Sequence, residues 1–142
     1  MPLQSTDVYG HKVTQGGTQL TAGAVGTSAA GTISAQATAG STATITITDC
    51  TDQRGSFLIN SSGTGQGAGE ACSVRFAKEY PAPPIVVVNL SNETDGTSTI
   101  TYSAVDVTTA GFDIEVGTVN PASGKSYRVN YIVLPGGTGV GV

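Results

Sequence analysis

Nucleophilic catalysis needs a base to take the nucleophile's proton, most often a histidine within hydrogen-bonding reach. This sequence has a single histidine, His11, in a glycine-interrupted N-terminal stretch, and it reads as a solvated or interface residue. Glycoside hydrolysis needs two facing carboxyl groups. Glu70, Glu79, Glu93, Asp95, Asp106, Asp113 and Glu115 are the candidates, but most alternate outward on strands or sit in turns, and no pair is nominated. Asn92-Glu93-Thr94-Asp95-Gly96 offers oxygen ligands for calcium without the ligand spacing or distal glutamate of a calcium loop, so it reads as a plain turn. The stretch Gly63-Thr64-Gly65-Gln66-Gly67-Ala68-Gly69 lacks the Lys-Ser/Thr and the helix that a phosphate loop requires, and is read as a flexible loop for contact or hinging. Cys50 and Cys72, separated by 21 residues, lack the paired spacing of a zinc site; two buried thiols are expected, with a disulfide between neighbouring strands as the alternative. With no base, metal set or cofactor cradle, the chain is expected to be no enzyme and to carry no cofactor.

Partners are bounded by charge. Ten acids against six bases give a net charge of -4, and the cations Lys12, Arg54, Arg75, Lys78, Lys125 and Arg128 are scattered rather than clustered, which argues against nucleic acid. The N-terminal MPLQSTDVYGHK has neither the basic nor the apolar region of a secretory signal, and no run approaches a membrane span, so a soluble chain made in the cytosol is expected. The sequons at Asn60, Asn89 and Asn92 are unremarkable in so Ser/Thr-rich a chain.

What must position any functional residue is a set of strands. At 142 residues the chain is about one domain long. The 36 residues from Val13 to Thr48 contain no Asp, Glu, Lys or Arg, and residues 1–40 show neither a strand nor a helix period. They are read as an extended Gly/Ala/Thr-rich arm whose isolated apolar residues, Val13, Leu20, Val25 and Ile33, are candidates to lie against another protein. From Ser41 the alternation changes. Strands are predicted at Thr42–Thr48, Arg54–Asn60, Cys72–Tyr80, Ile85–Leu90, Ser98–Val107, Phe112–Val116 and Ser126–Leu134. Ile85–Leu90 (IVVVNL), a continuous apolar run after a proline cluster, is expected to be the core strand buried on both faces. Seven short strands joined by Gly/Asn/Pro turns predict an all-β fold: one antiparallel β-sandwich or jelly-roll over 41–135, with a glycine-rich tail at 136–142. With no Trp in the chain, Tyr80, Tyr102, Tyr127 and Tyr131 are assigned to the core or to subunit contacts rather than to a sugar-stacking platform.

Residues 54–134 carry a recognisable pattern: Phe76, Tyr80 and Pro84 spaced as F-x-x-x-Y-x-x-x-P before a Val-rich strand, then Thr108, Gly111, Phe112 and Ile114 as T-x-x-G-F-x-I, then a tyrosine-rich final strand. The pattern resembles small β-sandwich modules of bacteriophage virion proteins, both capsid decoration proteins and the tips of tail fibres. The layout is also similar to that of H-type lectins, whose sugar-binding versions usually end in a strand bearing Trp; its absence here argues against lectin activity.

The virion resemblance implies a capsid decoration (cement) protein, made in the host cytoplasm and resident in the virion. It would be a trimer bound to the major capsid protein or other virion proteins through the arm. Its alternative is a receptor-binding tip that touches a host glycan or surface protein through loops at Gly63, Gly65, Gly67, Asn92 and Asp95.

Overall fold

A computed structural model describes residues 18–92, 100–117 and 121–136, together with the backbone of 5–6 and 12–13. The strands are β1 (Ser5–Thr6), β2 (Lys12–Val13), β3 (Thr21–Ala22), β4 (Thr32–Ala35), β5 (Thr44–Cys50), β6 (Arg54–Asn60), β7 (Gly69–Arg75), β8 (Ile85–Asn92), β9 (Tyr102–Thr108), β10 (Gly111–Val116) and β11 (Ser126–Leu134). β1 and β2 form a separate antiparallel pair. The other nine make an all-β two-sheet sandwich, one sheet ordered β3-β4-β7-β10-β9 and the other β5-β6-β11-β8. Pairing is antiparallel throughout the sandwich except between β3 and β4.

Alternation of side chains across each strand builds the core. Phe57 and Ile59 of β6 and Tyr127, Val129, Tyr131 and Val133 of β11 face Cys72 and Val74 of β7 and Phe112, Ile114 and Val116 of β10, all of them buried. Four rings run through it: Phe57 to Tyr131 edge-on at 6.2 Å between centroids, Tyr131 to Phe112 edge-on at 5.6 Å, and Phe112 to Phe76 tilted at 6.1 Å. Two glycines make room for this packing. A Cβ at Gly55 would lie 2.5 Å from the Tyr131 ring, and one at Gly111 would lie 2.1 Å from the Val74 carbonyl, so both positions are fixed by close approach.

All seven strands expected from the pattern are present, with shifted ends, but the arm boundary moves. Residues 18–40 belong to the sandwich: β4 pairs with β7, Leu20 is 3% exposed, and Ile33, Ala35 and Ala39 lie in the core. The sequence between β3 and β4 is strapped over the outer face of its sheet. Thr27 and Ser34 hydroxyls meet at 2.9 Å, Gln36 donates to the Thr27 carbonyl, and Arg75 Nε donates to Ser28 at 3.3 Å. Beneath lies a buried polar row, Ser34, Ser73 and Asp113, in register across β4, β7 and β10. Arg75 Nη1 sits 2.7 Å from Asp113 Oδ1, off the line a hydrogen bond needs, so the contact is a close ion pair.

The Val-rich run is also placed differently from expectation. β8 is not central but an edge strand, leaving Ile85 and Val87 58% and 56% exposed. Its inward residues Val86, Val88 and Leu90 are only partly buried, because the facing edge strand β9 covers them incompletely. The expected Cys72–Tyr80 strand ends at Arg75, and residues 76–84 form a loop.

A candidate binding cleft at one end of the sandwich

The turn between β5 and β6 is the floor of the site. Thr51 N–H donates to the Arg54 carbonyl at 2.8 Å, and Thr51 Oγ1 accepts from the Gln53 and Arg54 amides, a local side-chain bond that closes the turn. From below, the Tyr131 hydroxyl donates to the Thr51 carbonyl at 2.6 Å. Desolvation by burial pushes that phenol well up, with the neighbouring Cys50 adding to it, so it remains a neutral donor.

Asp52 then organises the loop opposite. It is buried, and its two carboxylate oxygens accept the Ala77 amide at 2.8 Å and the Lys78 amide at 3.1 Å. The Tyr80 hydroxyl donates to the Asp52 carbonyl at 2.7 Å, and the Tyr80 amide donates to the Thr109 carbonyl. The Tyr80 ring stands edge-on to Phe76 at 4.9 Å, so the aromatic chain of the core ends at the surface on a half-buried tyrosine. Burial first, and then the Asp52 charge, pushes the Tyr80 phenol up, which keeps it a donor. Pro84, the last residue of the F-x-x-x-Y-x-x-x-P pattern, is buried at the entry to β8.

Between these two pieces lies a cleft of about 480 Å³ lined by Thr18, Asp52, Gln53, Lys78, Glu79, Tyr80 and Pro81. The volume lies in the range of small-molecule sites, roughly 300–1,000 Å³. A second hollow of about 140 Å³, between Thr101–Ser103 and Glu115–Gly117, is too small to enclose a comparable ligand. Besides the buried Asp52 carboxylate, the larger cleft combines an immobilised aromatic ring with a carboxylate, an ammonium and an amide on exposed residues, Glu79, Lys78 and Gln53. Its backbone frame is anchored to β11, where the Val133 amide donates to the Gln53 carbonyl. It offers directional hydrogen bonding beside an apolar plate. No group of three or more His, Cys, Asp or Glu that could hold a metal is found among the described residues.

The expected site residues are placed elsewhere. Leu20 and Ile33 are consumed by the chain's own core and cannot serve as partner contacts while it is folded; Val25 is exposed, and the Val13 side chain lies outside the described residues. Gly63 and Gly65 turn the loop after β6 with left-handed backbone, and with Gly67 they sit at the opposite end of β6 from Asp52. Asn92 ends β8, where its backbone pairs with Tyr127, and Asp95 lies outside the described residues. Tyr127 and Tyr131 are core residues as expected, whereas Tyr80 opens onto the cleft. Cys50 and Cys72 are free and buried, on β5 and β7 of the two different sheets.

Residues 72–133, somewhat under half of the chain, match the model of the H-type lectin domain, a carbohydrate-binding and non-enzymatic family. No curated protein and no solved structure matches the chain. The match agrees with the expectation that the chain is no enzyme, and corrects two others. The virion and capsid decoration assignment is overturned; of the two expected roles, the alternative with glycan contact is backed better than capsid binding, and the lectin likeness argued against for want of a Trp is the one that the comparison supports. The matched span runs from β7 to β11 and includes Lys78, Glu79, Tyr80 and Pro81, which form one wall of the cleft.

Proposed function

We propose that this chain is a carbohydrate-binding module that takes a sugar in the cleft between the Asp52 turn and the Tyr80 loop. The observation that carries the reading is the match of β7 through β11 to the H-type lectin domain. The cleft supplies the chemistry such binding requires. A pyranose has one face of C–H groups and a rim of hydroxyls, so it is recognised by an aromatic plate together with fixed donors and acceptors. Tyr80 is the plate, held by its hydrogen bond to the Asp52 carbonyl and its contact with Phe76. Glu79 accepts from sugar hydroxyls, Lys78 donates to them, and Gln53 can do both. Because the frame is hydrogen-bonded before any sugar arrives, little ordering cost falls on binding.

The test is a glycan array followed by titration calorimetry on the best ligand. Single variants Gln53→Ala, Glu79→Ala and Tyr80→Ala are each expected to weaken binding by about 10-fold or more, the equivalent of one lost hydrogen bond or stacking contact. Absence of binding to every glycan presented would refute the lectin reading. Binding that survives all three changes at full strength would refute the cleft as its location.

A further inference from the structure

We infer that the chain pairs with a second copy of itself along the edge of β8 that no described strand covers, by antiparallel strand addition about a two-fold axis. Sheet edges expose unpaired N–H and C=O groups, and soluble proteins blunt them with short strands, bulges and charges. Three of the four edges of this sandwich carry such devices. β3 is two residues long. β5 is bulged between Ile47 and Asp49, beside an Asp49–Arg54 ion pair at 3.1 Å. β9 is bulged opposite Phe112 and carries Asp106 at φ 49°, a left-handed kink that breaks a continuous edge. β8 has none of them. Its register with β11 is unbroken, and Ile85–Leu90 contains no charged residue and no proline.

The same strand is the place where burial is incomplete. On the outer face Val87 lies beside Ile132 and Ile85 beside Leu134, all four about half exposed. They form an apolar block on the order of a few hundred Å², a size that on soluble chains marks a contact site. Toward the core, Val86, Val88 and Leu90 are only partly covered.

A second copy fits this edge because the edge is its own complement. With the two-fold axis at Val88, Val86 lies opposite Leu90 of the second copy, and both strands satisfy their free backbone groups in one step. The partly covered inward row then continues across the joint. The uncharged strand gives a charged partner nothing to select. Five residues, Val86–Leu90, share about 17 Å of edge, a contact smaller than a permanent interface, so the pairing is reversible and concentration-dependent. The two clefts of such a pair lie at opposite ends of the joined sheet.

Sedimentation velocity and light scattering on the full chain, over a wide concentration range, test this. The mass is expected to rise from one copy toward two, with the β8 amides gaining protection from hydrogen exchange as it does. Val87→Lys, an outward and exposed change that leaves the fold intact by circular dichroism, is expected to weaken self-association at least ~10-fold. Mixing it with Val87→Glu should restore a mixed pair. A mass fixed at one copy, an endpoint of three copies, or a Val87→Lys chain that pairs undiminished would each overturn the inference.

Discussion

Replacing Asp52 by alanine removes the acceptor for two backbone donors, the Ala77 and Lys78 amides at 2.8 and 3.1 Å. A hydrogen bond to a charged group is worth roughly 1.5–3 kcal/mol, and a donor stranded in the interior costs a comparable amount. Ala77 and Lys78 are themselves exposed, so water can partly replace the carboxylate and each loss falls toward ~1 kcal/mol. The expected destabilisation is therefore about 2 kcal/mol, a shift of roughly 1 M in the urea midpoint for a slope near 2 kcal/mol/M. Asp52→Asn keeps one acceptor oxygen and should lose about half as much. Because the carboxylate ties the β5–β6 turn to the loop that carries Tyr80, the same variants should speed amide exchange at Ala77 and Lys78 and weaken sugar binding at least ~10-fold. A midpoint unchanged in Asp52→Ala, with those two amides still protected, would show that the carboxylate does not hold the cleft together.

Alkaline pH should unfold the chain early. Burial pushes the Cys50 and Cys72 thiols and the Tyr131 phenol up, so the folded state keeps protons that the unfolded chain releases near pH 9 for the thiols and near pH 10 for the phenol. Stability is then full below pH 9 and is lost as pH rises above it, by up to about 1.4 kcal/mol per pH unit for each such group, and melting curves between pH 7 and pH 11 will read this as a falling Tm. Neither thiol should react with an aromatic disulfide reagent in the native chain, while both should react in denaturant, since both are fully buried. Phe112→Ala should cost about 3–5 kcal/mol, because the ring bridges Phe76 and Tyr131 at the centre of the aromatic chain; urea unfolding will measure it. Arg75→Ala leaves Asp113 buried without its counter-charge and should cost roughly 3–5 kcal/mol, whereas the double change Arg75→Met with Asp113→Leu should recover most of the loss.

The β character was legible because period-two alternation is local: FDIEV and SYRVNYIVL each show their buried faces without reference to any other strand. What alternation cannot reveal is strand order. A run such as IVVVNL is apolar on both faces whether it lies in the middle of a sheet or at its edge, and only the pairing of β11 with both β6 and β8 decides that it is an edge. The boundary of the arm is hidden for a related reason. An uncharged segment with isolated apolar residues does require a protein surface, but the nearest one is its own sandwich, where Leu20 and Ile33 complete the core and β4 extends the sheet beside β7. Apart from the exposed Val25, the strap that follows β3 is made of Gly, Ala, Ser and Thr because it must lie close over a sheet face: a Cβ at Gly23 would fall 2.2 Å from the Ser34 hydroxyl oxygen.

The candidate cleft was half legible. Phe76, Tyr80 and Pro84 stand out by spacing, and Phe76 and Pro84 are buried in the fold, but the sequence reading assigns Tyr80 to the core or to subunit contacts. Tyr80 differs because the strand ends at Arg75, so beyond that point the side chains no longer follow strand alternation. Its ring is turned by a bond to the Asp52 carbonyl 28 residues earlier, in a turn on the other sheet. Asp52 carries no such signal: a sequence shows an Asp in a turn without showing that it is buried and that two distant amides wait for its carboxylate. A tyrosine held in this way also answers the objection from the missing Trp. In the proposed sugar site the Tyr80 hydroxyl fixes the ring, so its apolar face can serve as the plate without an indole.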